Sequence, residues 1–307
     1  MGQLTRRELF GWTAGALGAG SLTLASPRRA TAIPPIGRTR PSHLKLSIAA
    51  YSYRDYLTGK KSPKLDLFEF VNLAADMALD GVEPTSYYFP PDVTFDYLNR
   101  LKLHAFSLGL DISGTAVGNN FCLPPGAKRD EQIALVERWI DRAAELDAPV
   151  IRIFAGNVSR GTSEEQAVTW AIEGINTVLP YAAKKGIVLA LENHGGITST
   201  PQQIMKLVKA IDSPSFGVNL DTGNFHTADP YADIAQLAPY AMNVQVKTEL
   251  KRGGSTSAEA ADLSRIVGIL REARYSGYVV LEYEGSEDPI KAIPGHIKTL
   301  RQLIERS

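Results

Sequence analysis

Eight short runs, most of them strongly apolar, alternate with longer amphipathic stretches between Leu44 and Ile304. This alternation constrains the fold more than any other feature of the chain. The runs are 46–51, 81–84, 110–115, 150–156, 187–192, 216–221, 242–247 and 278–283. Near-continuous apolar strands are characteristic of parallel strands buried on both faces. The intervening stretches carry helical spacing. Phe68, Val71, Ala75 and Leu79 share one face of a helix predicted over 65–79, which stops before Gly81. Further helices are predicted over 95–108, 128–146, 164–185, 201–211, 231–237, 258–273 and 288–304. Eight strand–helix pairs in this order predict an α/β protein of the (β/α)8 TIM barrel type. An open doubly wound sheet fits less well, because Ala49-Ala50-Tyr51-Ser52-Tyr53 follows the first strand where a glycine-rich phosphate turn would be needed.

The first 32 residues read as an export signal outside the fold. Arg6 and Arg7 precede a weakly apolar, Gly/Ala-rich run from Gly11 to Ala25, and Arg28, Arg29 and the small-residue pattern Ala30-Thr31-Ala32 follow. The run is too short and glycine-rich for a membrane span, and the three-part layout matches a cleavable signal. Its adjacent arginines resemble a twin-arginine signal, which implies a periplasmic or otherwise exported protein. Residues 33–43, with three prolines, are expected to form an extended lead-in, and 44–307 a single barrel domain.

Composition excludes several classes. The formal net charge is zero; the four arginines and one glutamate of the signal leave the remainder about three charges negative. A nucleic-acid partner would need a basic face. The single cysteine, Cys122, rules out an internal disulfide and a cysteine metal cage.

In a (β/α)8 barrel the chemistry sits at the C-terminal ends of the strands. Here strand five ends in Glu192-Asn193-His194-Gly195-Gly196, strand six in Asp221-Thr222-Gly223-Asn224, strand seven carries Gln245 and Lys247, and strand eight ends in Glu282-Tyr283-Glu284. Singly, each carboxylate reads as well as a helix cap. Together, converging on one barrel mouth, they would repel one another, and buried carboxylates need a partner or a metal. A divalent cation meets both demands.

These segments resemble the sugar phosphate isomerase/epimerase family of the xylose isomerase-like barrel superfamily, with order and spacing matching across 44–305. The resemblance implies one metal held by Glu192, Asp221, Gln245 and Glu282. The family usually carries His at the position of Gln245, in a His-x-Lys-Asp context; this chain has Gln245-Val246-Lys247-Thr248. An all-oxygen set favours Mn²⁺ or Mg²⁺, with Co²⁺ or Zn²⁺ as further options. The resemblance also implies that Glu192 and Glu282 exchange a proton beside a carbonyl as general base and acid. His194 and Lys247 lie two residues beyond Glu192 and Gln245, on the same sides of their strands. His194 reads as an acid/base or as a group that orients Glu192. Lys247 reads as an enolate stabiliser or as an ion-pair partner of Glu282 or Glu249. Tyr51, Glu83, Arg152 and Asn224 are candidate substrate contacts. Tyr53 and the aromatic run Tyr87-Tyr88-Phe89 stand nearby, whereas His226 reads as a loop residue.

The function implied is a metal-dependent sugar isomerase or epimerase acting on a small carbohydrate, possible as a homo-oligomer. A lyase or hydratase acting on 3-keto-glycosides through the same enolate is the alternative, and export favours it because glycosides abound outside the cytoplasm. A non-catalytic sugar-binding protein is the alternative from another class.

Overall fold

The computed structural model describes residues 34–305. The expected export signal, 1–32, lies outside the described residues. Among the described residues there are eleven strands: β1 (Leu44–Ala49), β2 (Gly81–Glu83), β3 (Asp111–Ile112), β4 (Thr115–Ala116), β5 (Val150–Ile153), β6 (Val188–Glu192), β7 (Phe216–Asp221), β8 (Ala241–Val246), β9 (Glu249–Leu250), β10 (Glu259–Ala260) and β11 (Gly277–Leu281). Nine of them form one parallel sheet in the order β3-β2-β1-β11-β8-β7-β6-β5-β4. The two ends of that order, β3 and β4, are successive pieces of one stave. A parallel bridge between Thr85 and Ala116 brings the β2 side of the sheet to β4. The result is a nearly closed TIM barrel of eight staves, as the alternation predicts.

The third predicted strand, 110–115, is split in two, while the strand predicted over 46–51 gives way to a 3-10 turn at Ala50 and the one predicted over 150–156 ends at Ile153. The split falls at Ser113 and Gly114, where a Cβ on Gly114 would come within 2.8 Å of Val150 Cγ1. The chain passes too close to β5 there for a regular side chain.

The helices are α1 (Arg54–Leu57), α2 (Leu67–Asp76), α3 (Phe95–Ser107), α4 (Ala127–Glu145), α5 (Glu164–Lys184), α6 (Pro201–Ala210), α7 (Pro230–Leu237), α8 (Leu263–Glu272) and α9 (Pro289–Glu305). Local chemistry sets their starts. Asp66 and Glu69 form a reciprocal capping box on α2, and Thr200 with Gln203 forms another on α6, where Pro201 takes the first turn. The helix predicted over 258–273 begins later than its spacing suggests. Glu259 and Ala260 pair antiparallel with Glu249 and Leu250, and Asp262 caps α8 by accepting from Arg265 N.

Strand alternation decides what fills the barrel. Leu220, Val244, Val246 and Leu281 belong to the buried apolar core. The opposite set is polar: Ser47 and Ser113 hydroxyls meet at 2.7 Å, and Asn219, Asn243, Gln245 and Glu83 form a buried network. The register puts Glu192 level with Asn219 and Asp221 level with Gln245. The lead-in follows the other end of the barrel: Ile36 N donates to Pro239 O, and the Arg38 guanidinium donates to Ala241 O at the start of β8. Among the described residues, no helix is long and apolar enough to cross a membrane.

Candidate active site

The ends of β5 and β6 and the segments that follow β1, β2, β5, β6, β7, β8 and β11 line a cavity of about 230 Å³. Its walls are Tyr51, Tyr87, Arg152, Phe154, Glu192, His194, Asn224, Lys247, Glu282 and Glu284. Seven of the expected site residues therefore meet in one place: Tyr51, Arg152, Glu192, His194, Asn224, Lys247 and Glu282.

Glu192 is the best anchored of the carboxylates. Its Oε2 lies 3.1 Å from Arg152 Nε, and its Oε1 lies 2.6 Å from His194 Nδ1 and accepts from Asn224 Nδ2 at 2.9 Å. Burial would raise its pKa, but Arg152 and His194 outweigh burial and hold it below the ordinary carboxylate range. His194 is thus in hydrogen-bond contact with Glu192. Its ring also packs on Phe154, with centroids 4.2 Å apart, while the Arg152 guanidinium lies 4.0 Å from the same ring.

Lys247 organises the other side. Its Nζ lies 3.1 Å from Asp221 Oδ2, 3.3 Å from Glu282 Oε2 and 2.6 Å from Glu284 Oε1, and it donates to Asn224 Oδ1 at 3.1 Å. Burial works against its charge, yet Asp221, Glu282 and Glu284 together hold its pKa well above the ordinary lysine value. Glu282 is pushed up to about 8, first by burial and then by Asp221 and Glu192 against the opposing pull of Lys247. Asp221 rises to about 6, chiefly by burial. Two carboxylates in one cavity are thus driven apart: Glu192 toward the ionised form and Glu282 toward the protonated one.

Three expected site residues do not line the cavity. Glu83, expected at the substrate, is fully buried below it, and its two oxygens accept from Asn243 Nδ2 at 2.7 Å and Gln245 Nε2 at 2.6 Å. Burial pushes its pKa up to about 7. Gln245 is occupied on both ends, since its Oε1 accepts from Asn219 Nδ2 at 2.7 Å. Asp221 is enclosed, with Oδ1 accepting from Gly223 N. Tyr53 is a core residue packed edge-on against Phe70. His226 departs from expectation the other way: with His194, Gly195, Ser199, Thr200, Asn224 and Thr227 it lines an adjoining cavity of about 330 Å³.

Glu284 and Phe154 are site residues that strand-end reading passed over. Glu284 lies two residues beyond Glu282, so the alternation that picked out Lys247 could have found it. Phe154 lies two residues beyond Arg152 by the same logic.

A family model described as xylose isomerase-like TIM barrel matches residues 71–303. The chain belongs to the xylose isomerase-like TIM barrel family. Among solved members of this fold, L-ribulose 3-epimerase superposes with a TM-score of 0.70 at 16% identity, covering 85% of this chain and 94% of that one. D-psicose 3-epimerase from Clostridium cellulolyticum H10 superposes with a TM-score of 0.65 at 18% identity, with coverages of 85% and 94%. In sequence, the 3-oxo-isoapionate decarboxylase of Pectobacterium atrosepticum is 26% identical over 153 residues, which is 49% of each chain. The chain spans about half the length of the curated relatives it matches.

The family resemblance implies a divalent metal on Glu192, Asp221, Gln245 and Glu282. The residues as arranged do not form that shell. The Lys247 ammonium stands against Asp221 and Glu282, the Gln245 amide is committed to Glu83 and Asn219, and Glu192 is committed to Arg152, His194 and Asn224. Among the described residues, no three His, Cys, Asp or Glu side chains converge as a metal site.

Proposed function

We propose that this barrel is a sugar isomerase or epimerase that moves a proton on the carbon beside a carbonyl. The observation that carries the reading is that Glu192 and Glu282 stand on the wall of one small polar cavity, where Arg152 and His194 draw the pKa of the first down and burial draws that of the second up. Glu192 takes the proton from the carbon as general base. The electrons move onto the carbonyl oxygen, and the enolate charge is met by cationic donors already in place, Arg152 and Lys247. Glu282 returns a proton to the enolate carbon, giving the epimer if it delivers to the opposite face. Tyr51, Tyr87 and Phe154 supply apolar and hydroxyl surface for a sugar ring. The epimerase names of the solved relatives support the same substrate class.

A second reading is a lyase on 3-keto-glycosides, in which the enolate expels a β-leaving group in place of reprotonation. The adjoining cavity that shares His194 and Asn224 favours it, because it offers room beside the site for a leaving group. The export expected from residues 1–32 and the decarboxylase relative, whose name implies a keto-acid substrate, are in keeping with it. Incubation with ketohexoses and with 3-keto-glucosides, followed by chromatography of products, separates the two. Epimeric ketoses support the first reading; release of the aglycone supports the second. Binding of either compound, unchanged by Glu192→Gln and without turnover, would support a sugar-binding protein and overturn both.

A further inference from the structure

We propose that the Lys247 ammonium is the resident cation of this active site, standing in for the family's divalent metal, and that a substrate oxygen reaches it by displacing the Glu284 carboxylate. The inference draws its substrate from the isomerase reading; its prediction about metal does not depend on that reading.

The first support is the shell around Nζ. Asp221, Glu282, Glu284 and Asn224 all present oxygens within 3.3 Å. An ammonium has three N–H donors, so four acceptors cannot all be served fully. Glu284 is the replaceable one: its side chain is 39% exposed, while Asp221 is 0% and Glu282 8% exposed. Lys247, itself 11% exposed, retains a face on the cavity. A carbonyl or hydroxyl oxygen in the cavity can therefore take the place of Glu284 without disturbing the enclosed pair.

The second support is that the loop after β7 is shaped around this lysine. Thr222 Oγ1 accepts from Lys247 N at 3.0 Å, and Asn224 Oδ1 accepts from its Nζ. Between them, a Cβ on Gly223 would lie 2.6 Å from Lys247 Cδ and 2.9 Å from Lys247 Cβ. The lysine stem passes there only because residue 223 has no side chain. Three consecutive residues thus supply a backbone anchor, a passage and a terminal acceptor for one side chain.

The third support is the commitment of the residue that the resemblance makes the β8 ligand. Gln245 presents its NH₂ to Glu83 and its oxygen to Asn219, both inside the barrel and below the cavity. A side chain held at both polar ends and absent from the cavity wall does not present its oxygen to the place a metal would occupy. A monovalent ammonium, by contrast, needs no ligand from β8 other than its own stem.

The test is a Mn²⁺ titration of the purified full chain after chelator treatment, followed by the loss of the free-ion electron paramagnetic resonance signal. Wild type is expected to take up no stoichiometric Mn²⁺. Lys247→Met keeps the stem's bulk but removes the charge, leaving Asp221, Glu282 and Glu284 without a cation; it is expected to gain about one Mn²⁺ per chain. One Mn²⁺ per wild-type chain, released by Asp221→Asn, would overturn the proposal. So would a folded Lys247→Met that binds none. Should that variant fail to fold, as read by circular dichroism, the wild-type titration decides by itself. Absence of turnover on every sugar would sink the isomerase reading and leave this titration intact, so the two failures are distinguishable.

Discussion

Arg152 Nε lies 3.1 Å from Glu192 Oε2, and both side chains are almost wholly enclosed. Breaking a buried pair by removing one partner costs about 3–5 kcal/mol, because the remaining charge stays desolvated. Arg152→Met is therefore expected to lower the urea midpoint and to raise the Glu192 pKa, leaving a smaller fraction of it ionised near neutral pH. An unchanged midpoint would mean that the carboxylate finds water in the variant.

The pH profile follows from the two carboxylates. Glu192 must be ionised, and its pKa is held below the ordinary range, so its active form is present throughout neutral pH. Glu282 must be protonated, and its pKa is pushed up to about 8, so its active form is present below that value and lost above it. kcat/KM is expected to be flat near neutrality and to fall above about pH 8, and Glu282→Asp should move that limb. The same shift bears on stability. A carboxylate raised from its ordinary value of 4.5 to about 8 contributes stability that is full below 4.5 and fades as pH climbs through 8. Thermal melts across this window measure it.

Gly223→Ala tests the passage of the lysine. Its Cβ would meet Lys247 Cδ at 2.6 Å. Lys247 Cβ at 2.9 Å and the Glu249 carbonyl oxygen at 3.0 Å also stand in the way, so the stem and the backbone beside it must both shift; overpacking of this kind costs about 1–3 kcal/mol. The variant is expected to fold and to lose turnover roughly tenfold or more, as a positioned charge is shifted. Turnover equal to wild type would show that the lysine has another seat.

Gln245→Leu removes a donor to Glu83 and an acceptor for Asn219. A buried polar group left without its partner costs about 1–3 kcal/mol. The loss should appear in the denaturation midpoint. Little change in stability would show that the network closes around the gap.

The barrel was legible in the chain because parallel strands buried on both faces leave long apolar runs that few other folds need. Glu192, Glu282, His194 and Lys247 were legible for a related reason: they follow such runs, where a barrel opens. What strand-end reading could not resolve was depth. Glu83 and Gln245 also stand at strand ends, but the stagger of the staves carries them below the cavity and into contact with each other. That contact joins residues 162 positions apart, and no local pattern encodes it. The role of Gly223 was hidden likewise, since its reason is the stem of Lys247 on the next strand. The break at Ser113 and Gly114 and the pairing of Glu259–Ala260 with Glu249–Leu250 likewise depend on neighbours distant in the chain.

Removal by Glu192 of a proton from a carbon beside a carbonyl would leave an isotopic trace in heavy water. Proton NMR in D₂O, with wild type and Glu192→Gln incubated with a ketohexose or a 3-keto-glucoside, tests it most directly. Wild type is expected to replace the hydrogen on that carbon with deuterium, and Glu192→Gln to slow the exchange by roughly 10²–10⁴-fold, the usual contribution of a positioned base. Exchange at the wild-type rate in Glu192→Gln would contradict it.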